Sequence, residues 1–183
     1  MNLVGQILIS LPNIKDERFF KSVIYICAHS SEGAMGFIIN KSLELDYYPE
    51  LLKQLGLDNL QSNKKIYFNY GGPVEPNRGF VLHSDDFIKK ESLPIDKGIA
   101  LTSTVDVFKD LSKGLGPKFT MLTIGYAGWG PGQLENEISN NGWLSSPIDK
   151  NFIFEEKSKN KWEKAYEILG IKPHTLHKNF GKA

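Results

Sequence analysis

Residues 125–137 read GYAGWGPGQLENE, four glycines and a proline around one tryptophan, followed at once by a helix-prone run. Two uses fit those letters. Backbone amides around Gly128 and Gly130 could cradle a small anion or carbonyl group, with Trp129 as a stacking wall. Alternatively, the stretch is a tight turn from strand to helix. A mononucleotide P-loop is excluded: Gly125 and Gly130 have its spacing, but Pro131 and Gly132 occupy its Lys and Ser/Thr positions. The dinucleotide pattern fails at Gln133, where its third glycine is required. As a helix start the run is consistent. Pro131 suits the first helical position, Gln133 the third, Glu135 and Glu137 lie near the positive end of the dipole, and Leu134 and Ile138 point inward. Gly128 and Gly130 then supply the unusual dihedrals. Two carboxylates there would repel phosphate, so any ligand is weakly charged or polar. The turn is the first reading and the cradle the second.

A second glycine corner, NYGGPVEPNRGFVLHSDD, puts Gly71 and Gly72 at the end of one strand and His83, Ser84 and Asp85 at the end of the next. Three successive residues diverge too much to form a Ser-His-Asp triad, so His83 reads first as a hydrogen-bonded strand-end residue. An enzyme acting on a small polar substrate would draw on Asn40, His83, Ser103, Gln133 and Glu135 at strand ends, with Glu135 or His83 as acid or base. Together with Gly71, Gly72, Gly128 and Trp129 these form the candidate ligand-binding set. No catalytic residue is assigned. No metal or cofactor is expected: His174 and His177 alone have helical spacing, and Cys27 is the single cysteine. Cys27 lies in the apolar run SVIYICAH and reads as a small core hydrophobe in a reducing compartment.

The elements that must position these residues follow from periodicity. SVIYICAH (22–29) and AMGFIINK (34–41) flank the short loop SSEG as a hairpin, preceded by the strand GQILISLP. Their near-continuous Val, Ile and Phe indicate burial on both faces. YYPELLKQLGL (47–57) is a short amphipathic helix, and KKIYFNYGGPV and RGFVLHS are β-rich runs separated by the breakers GGPVEPN. In IALTSTVDVFKDLSKGLGP a strand feeds a helix, with Ser103 as the N-cap and Val105, Phe108, Leu111 or Leu115 on its apolar side. KFTMLTIGYAG is the strongest interior strand. NFIFE (151–155) reads as a brief strand, and KNKWEKAYEILG as a helix burying Trp162, Ala165, Tyr166 and Leu169. The whole is one α/β domain over 1–183, a mixed sheet with helices packed around it.

The 183 residues carry 22 Lys plus Arg against 21 Asp plus Glu, a formal charge of +1, which speaks against direct nucleic-acid binding. Residues 151–183 hold seven lysines and four glutamates and read as a solvated helix face and tail. The N-terminus lacks a basic leader, and no run approaches a membrane span. A cytoplasmic protein is expected.

The segments GQILISLPNIKDERFFKSVIYICAHSSEGAMGFIINK, YGGPVEPNRGFVLHS, LTSTVDVF and GYAGWGPGQLENEISNNGWL resemble, in order and spacing, the AlgH/YqgE family of bacterial proteins. The chain departs from it at Ala28, where an acidic residue is usual, and at Gly142, where alanine is common. The resemblance implies a strongly curved, barrel-like mixed sheet surrounded by helices in a bacterial cytosolic protein. It supplies no mechanism; one branch, linked to alginate production, bears the label of transcriptional regulator. No basic recognition helix supports that label here. The favoured expectation is a non-enzymatic regulatory or binding protein for a small ligand or a protein partner. Its surface is lined by the glycine corners and by Tyr126, Trp129 and Trp143, taken as exposed.

Overall fold

The computed structural model describes residues 2–43, 49–54 and 68–173. The first half contains β1 (Gln6–Ser10), β2 (Val23–Ser30), β3 (Gly33–Ile38), β4 (Ser42–Leu43), α1 (Pro49–Gln54), β5 (Phe68–Tyr70) and β6 (Val74–Ser84). Then follow β7 (Leu93–Asp96), β8 (Ile99–Thr102), α2 (Val105–Ser112), β9 (Thr120–Trp129), α3 (Gln133–Ser139), β10 (Trp143–Pro147), α4 (Lys150–Phe154) and α5 (Lys161–Ile168). The strands run β10-β1-β2-β3-β9-β6-β8-β7, with β5 parallel to β9 and β4 antiparallel to β5. One parallel pair in an otherwise antiparallel sheet makes it mixed, as expected.

The sheet curls into a half-barrel. Ile7 and Ile9 of β1 share one buried cluster with Ile99 and Leu101 of β8. In a flat sheet, five strand spacings would separate them by roughly 24 Å. At the seam, Gly5 meets Asp96 so closely that a Cβ there would lie 2.5 Å from the carboxylate. α4 and α5 close the concave side with Phe152, Ile153, Trp162, Ala165 and Tyr166. Both Trp162 Nε1 and Tyr166 Oη donate to the Ser10 carbonyl, at 3.0 and 3.1 Å.

Alternation explains the unbroken apolar strands. In β2, Val23, Tyr25 and Cys27 face the concave core, whereas Ile24 and Ile26 face outward under α3. A third cluster lies outside under α2, where Val81, Leu122 and Ile124 meet Val107, Phe108 and Leu111. β9 changes phase at Gly125. Leu122 and Ile124 point outward before it, Ala127 and Trp129 after it, and Tyr126 packs on the concave core. Gly125 has φ +68°, so one residue lets a single strand serve two helices.

Several elements differ from the sequence reading. NFIFE is α4, not a strand: the Asp149 side chain caps it by accepting from Phe152 N–H, which a single-segment β-propensity cannot register. Thr104, not Ser103, is the N-cap of α2, and Val105 and Leu115 are exposed while Val107 takes the inward position. The breakers GGPVEPN interrupt pairing without ending β6, since its register with β9 jumps from Val74 to Gly79 and leaves Pro76 in an unpaired bulge. Of the predicted helix 47–57, Pro49–Gln54 is helical; its remaining residues lie outside the described residues, as do residues 64–67 of the next β-rich run.

Gly125→Ala should cost about 3 kcal/mol or more, from a left-handed φ and a Cβ that would lie 2.4 Å from Gly72 O. Gly132→Ala, with φ +69° and open space around it, should cost only about 1 kcal/mol. Urea denaturation of the two variants measures the difference, and equal losses would contradict the tight contact.

Candidate functional site

The two glycine corners pack on each other. Gly71 N–H donates to Ile124 O at 2.8 Å, and its carbonyl accepts from Ile38 N–H at 2.9 Å. A Cβ on Gly71 would fall 2.2 Å from Gly125 O, and one on Gly72 would fall 2.2 Å from the Tyr126 carbonyl carbon. Backbone therefore fills the space that side chains leave. Gly128 and Gly130 do not supply the unusual dihedrals; Gly125 and Gly132 do. α3 starts at Gln133 behind Gly132, two residues later than Pro131 as first helical residue would give.

Trp129 is 7% exposed and Trp143 5%, so neither is the open aromatic that adjacent glycines suggest. Both indoles donate to one oxygen of Glu137, at 2.9 and 2.8 Å. Its other oxygen accepts from Gln133 Nε2 at 2.8 Å, and Gln133 Oε1 accepts from Gly130 N–H at 3.0 Å. These bonds pin α3 to the sheet. Glu137 is legible in sequence only as a charge near a helix dipole, because its partners flank it at both ends of the helix.

The polar candidates are held in separate groups. Asn40 accepts from Val23 N–H and donates to Lys21 O, both at 2.8 Å. Glu135 accepts from His29 Nε2 at 2.7 Å, while His29 Nδ1 accepts from Leu3 N–H at 3.1 Å, which fixes the tautomer. Glu135 is held below the usual carboxylate range by its own backbone amide and by His29. His83 is buried; Nδ1–H donates to Ser84 O and Nε2 accepts from the Thr102 hydroxyl, each at 2.8 Å, and Thr102 in turn bonds Ser92 at 2.7 Å. Burial lowers the His83 pKa and favours the neutral ring. Burial also pushes the Cys27 thiol up, away from reactivity. Among the described residues no group of three or more ligating side chains is placed to hold a metal; His174 and His177 lie outside them.

An open trough lies on the concave side where β2, β3, β6, β8 and β9 end. One part, about 390 Å³, is lined by Ser30, Glu32, Met35, Val74, Tyr126 and Gly128. A second, about 240 Å³, adjoins it through Met35 and Tyr126 and adds Arg78, Phe80, Glu91, Leu93 and Ser103. Arg78 lies 4.9 Å over the Phe80 ring, with Nη1 bonded to Glu75 at 2.9 Å and Nη2 to Ser103 at 3.3 Å. Glu75 sits at φ +48°, a left-handed conformation rare for its type, and accepts from Tyr126 Oη at 3.5 Å. Of the expected site residues the trough gathers Ser103, Gly128 and the edge of Trp129. The sequence reading passed over Arg78, although a chain so rich in lysine uses arginine only here and at Arg18.

A half-barrel with α4 and α5 on its concave side and α2 and α3 on its outer face defines the structural class. Residues 7–174 match the profile of the AlgH-like family, and the chain belongs to that family. A UPF0301 protein of Rhodopseudomonas palustris strain BisB18 is 50% identical over 99% of this chain and 89% of its own. One from Agrobacterium fabrum is 44% identical over 98% and 92%. The solution structure of the AlgH protein from Pseudomonas aeruginosa superposes with a TM-score of 0.77 at 34% identity, covering 98% of this chain and 95% of that one. A crystal structure from Corynebacterium diphtheriae shares the fold at TM-score 0.70 and 21% identity, over 98% and 93%.

Glu137→Ala leaves two buried indole N–H groups without an acceptor and should cost about 2–4 kcal/mol, read by thermal denaturation; a loss within 0.5 kcal/mol of zero, as is usual for surface changes, would refute the clamp. Acid acts through His83. Unfolded, it takes up a proton near its ordinary 6.5; folded, only at lower pH, so stability falls below pH 6.5 by at most about 1.4 kcal/mol per unit. Urea curves at pH 7.5 and 5.0 should show a smaller acid loss in His83→Gln than in wild type, and equal losses would assign the sensitivity elsewhere.

Proposed function

We propose that this chain is a cytoplasmic binding protein without catalytic chemistry of its own, and that the trough along Met35, Val74, Tyr126 and Leu93 is its working surface. The observation that carries this reading is an apolar floor left open at the end of the half-barrel, with a cation and carboxylates on its rim. Val74 is 36% exposed and Leu93 51%, beside the polar rim of Glu75, Arg78 and Ser103. Barrel mouths of this composition are common ligand sites. The polar side chains that an enzyme would recruit support binding instead. Asn40, His83, Gln133 and Glu135 each hold backbone or a neighbouring side chain in place. Glu32, Glu75 and Glu91 against Arg78 make the trough acidic, which speaks against nucleic acid there, so a regulatory role would act through a small ligand or a protein. A single buried, free cysteine fits a reducing compartment. Among the described residues no helix is long and apolar enough to cross a membrane.

Native mass spectrometry of the protein purified from its own cells tests the site. Wild type should carry an added mass, a ligand or a partner, that is absent from Met35→Arg, whose side chain fills the trough without entering the packed core. Retention of that mass by Met35→Arg, or bare protein in both samples, would contradict the proposal.

A further inference from the structure

We propose that the trough binds a basic, partly apolar segment of another protein, seating one lysine or arginine side chain between Tyr126 and Glu32. This rests on the binding surface described above and names its occupant. The inner part of the trough already accommodates a cation of this kind. The Arg78 guanidinium lies on the Phe80 ring, paired with the Glu75 carboxylate and touching the Ser103 hydroxyl. The outer part repeats those residue types with no lysine or arginine among the described residues that line it: Tyr126, Glu32 and Ser30 border it, and Glu32 is the one formally charged residue among them. An aromatic face beside a carboxylate favours a cation, and more so where water is partly excluded.

Charge and shape agree on the remainder of the occupant. Among the described residues that line the joined trough, Glu32, Glu75 and Glu91 face the single positive charge of Arg78, which is engaged by Glu75. Neither Glu32 nor Glu91 has an ion pair among the described residues. The field at the rim is therefore negative and repels acidic partners. The floor of Met35, Val74, Leu93 and Tyr126 asks for apolar side chains next to the cation, and methionine adapts to different shapes. A free amine would leave this floor in water. A segment that alternates apolar and basic residues covers both.

The full chain carrying 13C-methyl methionine provides the readout, because only Met1, Met35 and Met121 give signals and Met121 is buried in the core. The probes are capped octapeptides of alternating leucine and lysine or of leucine and glutamate, and spermidine. The Leu-Lys peptide should shift the Met35 methyl and bind at least tenfold more tightly than the Leu-Glu peptide. Glu32→Gln with Glu91→Gln, both exposed changes, should weaken it at least fivefold. Equal or tighter binding of the Leu-Glu peptide, or no effect of removing the two carboxylates, would overturn the proposal. Spermidine binding as tightly as the Leu-Lys peptide would overturn a protein segment as the occupant. A cell-derived mass lost in Met35→Arg alongside any of those results would leave the trough as the site with another occupant. A mass kept in Met35→Arg would remove the site itself.

Discussion

Backbone contact between Gly71–Gly72 and Gly125–Tyr126 is the constraint on which the rest of the structure depends. Four strands converge there: the end of β3 through Ile38, the end of β5, the start of β6 and the middle of β9. No side chain fits between them, since an added Cβ would stand 2.2–2.4 Å from backbone atoms at each of the three glycines. The phase change at Gly125 then decides which helix each half of β9 meets. Without it, Trp129 would point to the concave side and α3 would lose its anchor.

That anchor explains why one stretch collects so many distinctive residues. Trp129, Gln133, Glu137 and Trp143 form one hydrogen-bonded unit in which a single carboxylate satisfies two indoles and a carboxamide. Buried donors are costly when unpaired and charged acceptors bond them strongly, so the unit fixes α3 and β10 together. The same stretch still borders the open trough through Tyr126 and Gly128. Architecture and binding surface thus share a segment but use different residues of it.

How much of this was legible in sequence depended on whether the deciding contact was local. The β2–β3 hairpin, the two-sided burial of its strands and the α5 stripe of Trp162, Ala165 and Tyr166 follow from period and turn chemistry, and the structure has all three. The mixed sheet followed from the irregular order of strands and helices, whereas its curl was reached only through resemblance, since no periodicity states that β1 and β8 meet. α4 was misread because Phe-Ile-Phe favours strands until Asp149 caps the segment and the core receives Phe152 and Ile153. At the site, glycines next to Trp129 and Trp143 suggested exposure, and a carboxylate eight residues beyond Trp129 reversed it. Glu75 and Arg78 share one bulge of β6 and Met35 lies in β3, and only the pairing of both strands with β9 brings them to one trough.

The central claim is that the glycine corners are closed architecture and that binding happens beside them. Native-state hydrogen exchange of the unliganded protein addresses it directly. The amides of Gly71 and Ile38, bonded at 2.8 and 2.9 Å within the corner, should exchange among the slowest in the chain, at the rate of global unfolding. Those of Glu75 and Arg78 in the β6 bulge should exchange orders of magnitude faster. Rapid exchange at Gly71 and Ile38 would instead mean that the corner opens, and that the glycines are a cradle after all.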